Sequence, residues 1–275
     1  MTGEVHIHPA ELIEIDAMRD LFAAAPRSFA ARHGFAVREI GSATCLALAA
    51  CPELLLLNRA MGLGLAAPAT EESLDEIVRF YASPGVPWMV PLGPGARPPE
   101  LAAWLEARGF APGYAWMKFE HGPEPPPAAE TDLRVEDVGP ECADAFAETF
   151  LAGYGAPAEL EELLAALVGR PGWHCFIAFD GCAPAATGAL YVRGALGWLG
   201  VAATLPEYRR RGAQGALLAA RIRRAAEVGC TRLVTETGER IGDRPSVSYR
   251  NILRSGFAEA YIRPNFVSPA DTVGS

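Results

Sequence analysis

The residues best suited to chemistry in this chain lie in PEYRRRGAQGALL, residues 206–218. Three consecutive arginines, Arg209, Arg210 and Arg211, precede Gly212 and a predicted helix that begins near Ala213. The first N–H groups of a helix are unpaired and lie at its positive end, and glycine lets an anion approach the backbone closely. Guanidinium groups add donors that match phosphate oxygens. The spacing therefore predicts a phosphate site at this helix start.

This basic segment stands in an acidic protein. The 275 residues carry 24 basic and 33 acidic side chains, a net charge of −9, whereas Arg209 to Arg254 contain eleven arginines and four acidic residues. The overall acidity argues against nucleic acid or an anionic membrane as a partner. The structural alternative is that the arginines are a solvated helix entry. The apolar positions Leu217, Leu218, Ile222 and Ala225 are typical of ordinary core packing.

Other motifs are absent from the sequence. It has neither G-x-x-x-x-G-K-[ST] nor, after the predicted strand, G-x-G-x-x-G, which disfavours nucleoside triphosphate and nicotinamide binding. The six cysteines show no C-x-x-C and no zinc-like pairing with the five histidines, so we expect no metal site and no disulfide framework. No leader sequence or membrane span is recognisable, and we expect a cytoplasmic protein.

The elements that must position the loop fall into two predicted domains. Residues 121–130 are rich in proline and form a linker between a first domain, 1–120, and a second, 131–275. Near the end of each domain G-F-A-x-x-Y occurs, from Gly109 and from Gly256, 147 residues apart. Each glycine follows a helical pattern, as a C-cap does. The repeat predicts a duplicated unit.

Periodicity predicts a mixed α/β fold for both domains. In the second, strands alternate with helices, and a strand ending near Thr204 leads into the arginine loop and its helix. In the first domain we expect strands over TCLALAAC and ELLLLNRA, followed by a helix and further strands. At the 147-residue offset this domain has GLGLAAPAT, residues 62–70, in place of the arginines, so we interpret it as structural or substrate-facing.

The segment PEYRRRGAQGALL, with a strand before it and Gly256-Phe257 after it, resembles the acyl-CoA signature R/Q-x-x-G-x-G/A of the GNAT superfamily of N-acetyltransferases. Arg209, Gly212 and Gln214 occupy the three fixed positions, and the glutamine departs from the pattern. The resemblance implies two GNAT-like domains in tandem with the acyl-CoA N-acyltransferase fold, and acetyl-CoA as cosubstrate. Pantetheine would pair with the backbone of Ala202, Ala203 and Thr204. The pyrophosphate would rest on the amides of Arg209, Arg210, Arg211, Gly212, Ala213, Gln214 and Gly215.

Acyl transfer to an amine requires a neutral amine and a proton for the departing thiolate. Many GNAT enzymes place a donor tyrosine where this chain has Ile252, so Tyr249 and Tyr261 are the nearest substitutes, each with a packing role as the alternative. Glu236 is the candidate base, with a surface ion pair to Arg232 as its alternative. We therefore expect an N-acetyltransferase acting on a small-molecule or peptide amine. A non-catalytic acyl-CoA-binding regulatory module is the rival interpretation.

Overall fold

The computed structural model describes residues 7–242 and 246–269, and these form two compact units. The first contains the described residues up to Phe22, then Arg27–Trp116 and the described residues from Ile262 onward. The second contains Ala23–Pro26 and Met117–Tyr261. The units therefore do not coincide with consecutive halves of the sequence.

Helices and strands follow one another in the mixed order that the sequence predicts. The helices are α1 (Pro9–Ala24), α2 (Arg27–His33), α3 (Glu71–Ala82), α4 (Leu101–Ala107), α5 (Ala143–Tyr154), α6 (Glu161–Ala165), α7 (Ala213–Glu227) and α8 (Val247–Arg254). The first strands are β1 (Phe35–Ile40), β2 (Ala43–Leu48), β3 (Arg59–Met61), β4 (Met89–Pro91), β5 (Ala111–Pro112) and β6 (Trp116–His121). The later strands are β7 (Arg134–Val138), β8 (Trp173–Asp180), β9 (Ala183–Arg193), β10 (Leu196–Thr204), β11 (Arg232–Gly238), β12 (Ala258–Arg263) and β13 (Asn265–Val267). Within residues 7–242 and 246–269, no helix is long and apolar enough to cross a membrane.

The sheet of the first unit has the strand order β1-β2-β3-β4-β13-β5. Its core is built on Trp88, whose indole stacks on Tyr81 at 4.1 Å and meets Phe110 edge-on. The expected strand over ELLLLNRA is wrong for most of its length, because β3 begins only at Arg59. The buried Asn58 explains the difference, since its side chain accepts from Leu48 N at 2.8 Å and donates to Cys51 O at 3.1 Å, which folds the apolar run into turns. Hydrophobicity alone does not separate such turns from a strand.

The sheet of the second unit has the order β12-β6-β11-β10-β9-β8-β7, with β8, β9 and β10 antiparallel. Helix α7 buries the stripe Leu217, Leu218, Ile222 and Ala225, as the sequence predicts. This stripe fixes α7 on the sheet and so fixes the loop that precedes the helix.

Each sheet contains one strand that comes from the other half of the sequence, and these two strands occupy corresponding positions in the repeat. Strand β6, from the first half of the sequence, lies between β12 and β11, and β13, from the second half, lies between β4 and β5. Phe119 of β6 and Phe266 of β13 are both buried. The repeated glycines are equivalent too, because Gly109 (φ 81°) and Gly256 (φ 93°) both adopt the left-handed conformation after a helix.

Candidate functional site

The centre of the second unit is the place where β10 and β11 part. The two strands run parallel and pair over three positions only, from Leu196 with Arg232 to Trp198 with Val234. At the next position the Thr235 hydroxyl donates to Leu199 O at 2.8 Å, so a side chain replaces the backbone ladder. Beyond this point β10 continues without a partner in the register of β11. The sheet therefore presents an open backbone edge.

A bulge in β10 lies beside this opening. The antiparallel register between β9 and β10 shifts between Gly200 and Ala203, which leaves Val201 and Ala202 without a cross-strand partner in that register. Val201 has φ 45°, a left-handed conformation that is costly for a β-branched residue. Of the predicted pantetheine residues, Ala202 lies within this bulge, whereas Ala203 and Thr204 resume the pairing with β9.

The start of α7 is open to an anion. Its N-cap is Gly212, with φ 80°, and no side chain in the described part of the chain caps it. A Cβ at Gly212 would overlap the carbonyl oxygen of Glu130, so only glycine fits. The N–H groups that follow, at Ala213, Gln214 and Gly215, thus start a helix of 15 residues without a side-chain acceptor. Such a helix start favours phosphate.

The three arginines differ in their surroundings. Arg211 is committed to structure, because it bonds Asp180 at 2.8 Å and also pairs with Asp132. These bonds hold the pKa of both carboxyl groups below its usual value and raise the pKa of Arg211. The Thr131 hydroxyl donates to Arg211 O at 2.7 Å. Together these contacts fasten the end of the linker to the loop.

Arg209 and Arg210 remain as the free charge of the loop. Both are exposed, and neither forms an ion pair with a described residue. Arg209 has one long contact, from Nη2 to Gly153 O at 3.4 Å on α5. Arg210 has φ 67°, which is uncommon for a residue with a side chain. Two unneutralised guanidinium groups therefore stand beside the open helix start.

Gln214, the departure from the acyl-CoA signature, connects α7 to α8. Its side-chain amide donates to Ser248 Oγ and its oxygen accepts from Asn251 Nδ2, both at 2.9 Å. The glutamine side chain is thus turned toward α8 and occupied there. Sequence reasoning gave Ser248 and Asn251 no role, although both are partly exposed polar residues of the short amphipathic helix α8.

Glu236 lies on β11 just beyond the last β10–β11 pair. Its carboxylate accepts from Lys118 Nζ at 2.9 Å and from the Trp198 indole N–H at 3.1 Å. Arg232 instead approaches Glu120, at 3.8 Å, so the ion pair between Arg232 and Glu236, which was the alternative to a catalytic role, is not formed. Sequence reasoning missed Lys118, which is fully buried and is the only lysine in the sequence. Its isolation inside the apolar strand YAWMKF was the available signal.

The tyrosines proposed as proton donors lie in different environments. Tyr249 is fully buried on α8, with its ring edge-on to Phe119 at 4.8 Å, and burial raises its pKa. Ile252, at the usual tyrosine position, is also in this core. Tyr261 is partly exposed on β12, which is separated from β11 by β6. No contact joins either tyrosine to Glu236 in the described residues, and their catalytic roles stay predictions.

The equivalent loop of the first unit is closed by its own chain. Gly62 and Gly64 adopt left-handed conformations, at φ 79° and 78°. The Gly64 N–H donates to Ser42 Oγ at 2.8 Å, and Gly64 O accepts from Arg97 N at 3.0 Å. The helix after it, α3, has a capping box between Thr70 and Ser73. The N–H groups of Gly64 and Ser73, which could otherwise bind an anion, therefore already donate to side chains of the first unit.

The residues of the second unit fit an acyl-CoA. The open edge at residues 202–204 offers backbone groups to an amide-containing arm, and the uncapped α7 with Arg209 and Arg210 offers donors and charge to a diphosphate. Among the described residues, no group of three or more His, Cys, Asp or Glu side chains is arranged to hold a metal ion.

The comparisons with known proteins agree with this geometry. Residues 140–244 match the model of the acetyltransferase (GNAT) family. A GCN5-related N-acetyltransferase from Kribbella flavida superposes with a TM-score of 0.67 at 18% identity, over 96% of this chain and 97% of its own. A GNAT-family acetyltransferase from Colwellia psychrerythraea gives 0.54 at 16% identity, over 96% and 98%.

A tandem GNAT protein from the clavulanic acid biosynthesis pathway gives a TM-score of 0.55 at 15% identity, over 95% of this chain and 94% of its own. Among curated proteins no match was found. The resemblance to the GNAT superfamily and the predicted tandem fold are confirmed, and members of this family generally use an acyl-CoA as cosubstrate. Residues 140–244 therefore match the acetyltransferase (GNAT) family, and the chain as a whole has the fold of the tandem GNAT proteins.

Proposed function

We propose that this protein transfers the acetyl group of acetyl-CoA to an amine on a small molecule or peptide, in the second unit. One observation carries the proposal. The parted strands β10 and β11 and the uncapped start of α7 lie at the two ends of a single segment, residues 199–215. A ligand with an amide-containing arm and a diphosphate matches both ends.

In this proposal the loop holds the ligand mainly through its backbone. Ala202, Ala203 and Thr204 pair with the arm, and the N–H groups from Arg209 to Gly215 surround the diphosphate. Arg209 and Arg210 supply the positive charge, because Arg211 is neutralised by two aspartates. The free thiols of the six cysteines are typical of a cytoplasmic protein, and we place the reaction there.

When bound, the thioester supplies an activated carbonyl carbon. Transfer forms a C–N bond and breaks the C–S bond, so the amine must lose a proton and the departing sulfur must gain one. We assign the first task to Glu236, which lies at the opening and which Lys118 and Trp198 hold in one orientation. We assign the second to Tyr261, because it is partly exposed whereas Tyr249 is fully buried.

Calorimetric titration of the full-length chain with acetyl-CoA tests the binding part. The full chain is needed because β6 completes the second sheet, and a fragment of residues 131–275 would lack that strand. The double variant Arg209→Ala/Arg210→Ala should bind at least about tenfold more weakly at low salt, because two charge-assisted contacts are lost. The variant Arg223→Ala/Arg254→Ala removes the same charge from exposed positions outside the loop and should bind like wild type. Equal affinity of both variants contradicts the assignment of the loop.

A second function has one observation in its favour. Ile252 is 3% exposed in the core, so the usual donor position holds no hydroxyl at all. A domain that binds acyl-CoA without transferring the group would then act as a regulatory module. Thiol release during incubation with acetyl-CoA and a panel of amines separates the two functions. Release above the amine-free rate, reduced by Glu236→Gln, supports transfer, whereas binding without release for every amine class supports the module.

A further inference from the structure

Arg221 of α7 is a buried cation that has no anionic partner in the part of the chain that the structure describes. The residue is 2% exposed, and its Nε donates to Leu217 O at 3.0 Å. Its Nη1 donates to Ala189 O at 3.2 Å and to Gly200 O at 3.3 Å. No carboxylate in residues 7–242 or 246–269 pairs with it. Burial lowers the pKa of the guanidinium to about 9, which still leaves it charged at neutral pH.

The fold makes room for this side chain at a specific place. A Cβ at Gly188 of β9 would lie 2.9 Å from Arg221 Cζ, so the guanidinium lies directly on that glycine. Its neighbours in the helix sequence, Leu217, Leu218 and Ile222, are buried core residues. A charge buried among such residues costs stability, and an apolar side chain of similar volume would often be more stable. The position therefore calls for an explanation other than packing.

The carbonyls that Arg221 binds belong to the last regular pair before the bulge. Gly200 pairs with Ala189, and the register shifts immediately afterwards. In a trans peptide the C=O and the N–H point in opposite directions, so the N–H of Val201 points away from Arg221. Val201 has φ 45° and no cross-strand partner in the register of β9 or β11. A cation bound to the Gly200 carbonyl polarises this peptide and strengthens its N–H as a donor.

We propose that Arg221 is a positioning residue for acyl transfer, which fixes the bulge and strengthens the Val201 N–H as a donor to the thioester carbonyl oxygen. The inference rests on the proposed function, because it requires an acyl thioester at the opening between β10 and β11. Negative charge that develops on that oxygen during transfer would then meet an oriented dipole backed by a buried positive charge. Arg221 itself touches neither the ligand nor the reacting atoms.

The infrared carbonyl stretch of acetyl-CoA, labelled with ¹³C at the acetyl carbonyl, measures this polarisation without any acceptor. Difference spectra are recorded on the full-length wild type, on Arg221→Met, on Gly188→Ala and on Arg223→Met, each with its affinity by calorimetry and its thermal unfolding. Gly188→Ala keeps the arginine but displaces its guanidinium, and Gly188 has no positive φ that would strain the alanine. Arg223 is an exposed arginine of the same helix and serves as the control.

In the wild type we expect the bound carbonyl stretch to move to lower frequency than in solution. Arg221→Met and Gly188→Ala should bind acetyl-CoA but lose about half of this shift or more, and Arg223→Met should keep it. A full frequency shift in both Arg221→Met and Gly188→Ala, or a wild type that binds acetyl-CoA without any shift, overturns the role of Arg221. Neither result contradicts the proposed function. Absence of binding by wild type overturns the proposed function and this inference with it. If Arg221→Met does not fold, Gly188→Ala decides by the same criterion.

Discussion

Replacement of Arg210 should move stability and ligand affinity in opposite directions. Arg210 has φ 67° and is exposed without an ion-pair partner in the described residues. The left-handed conformation costs a residue with a Cβ about 1–2 kcal/mol. Glycine avoids that cost but loses more chain entropy on folding, roughly 0.5–1 kcal/mol. Arg210→Gly should therefore raise the free energy of unfolding by about 0.5 kcal/mol.

Arg210→Ala is the matched variant, because it removes the same charge and keeps the strain. It should be less stable than Arg210→Gly by about 0.5 kcal/mol, measured by urea unfolding, because alanine keeps the same backbone strain as arginine. Both variants should bind acetyl-CoA about fivefold more weakly at low salt, since an exposed charge contact contributes up to about 1 kcal/mol. Near roughly 1 M salt, where the Debye length is about 3 Å, the loss should disappear.

Two results would refute this reasoning separately. An alanine variant more stable than the glycine variant by roughly 0.5–1 kcal/mol, the entropy cost of glycine alone, would show that the backbone at Arg210 is not strained. Unchanged affinity at low salt in both variants would show that Arg210 contributes no charge to the diphosphate site, and the assignment would then rest on Arg209 and the backbone alone.

Three further predictions concern the surroundings of the site. Thr235→Val should lower the free energy of unfolding by about 1–2 kcal/mol in urea titrations, because Leu199 O loses its donor where the strands part; an unchanged value would contradict the role of that bond. Asp132 and Asp180 have lowered pKa values in the folded protein, so their contribution to the free energy of unfolding is present above their unfolded pKa near 3.8 and is lost as the pH falls below it. The urea midpoint should therefore fall more steeply below about pH 4 in wild type than in Asp132→Asn/Asp180→Asn. Lys118 is the only lysine and is fully buried, so an amine-reactive ester should modify it only after unfolding, and native modification seen by mass spectrometry would contradict its burial.

Sequence reasoning succeeded where local chemistry determines the outcome. Gly109 and Gly256 were predicted as helix C-caps from their position after an apolar helix, and both have positive φ. The loop from Arg209 to Gly215 was placed between a strand and a helix, and the structure has β10 and α7 on either side. In both cases the signal depends on a few neighbouring residues, so it is readable from a single chain.

Sequence reasoning failed where the partner of a residue is distant in the chain. Alternation identifies β6 as a strand but does not tell that it pairs within the second sheet, and so Lys118 could not be placed beside Glu236, 118 residues away. Arg221 was hidden for a related reason. It interrupts an apolar stripe as an ordinary surface arginine would, and only the structure shows Gly188 opposite it.

The equivalent loops of the two units differ in how the N–H groups at the start of the following helix are satisfied. In both, a strand leads through a glycine with positive φ into a helix. Before α3, the Ser42 hydroxyl accepts a hydrogen bond from the Gly64 N–H, and the Arg97 N–H donates one to the Gly64 carbonyl. The Thr70 side chain caps the helix. Before α7, the only cap in the described residues is the glycine itself, and the side chains nearby are arginines. Backbone donors that are satisfied internally stabilise a helix start, whereas donors left open cost stability until a ligand binds. The open donors of α7 are therefore the stronger argument for a ligand site than the arginines, because a solvated helix entry would gain from a cap and this one has none.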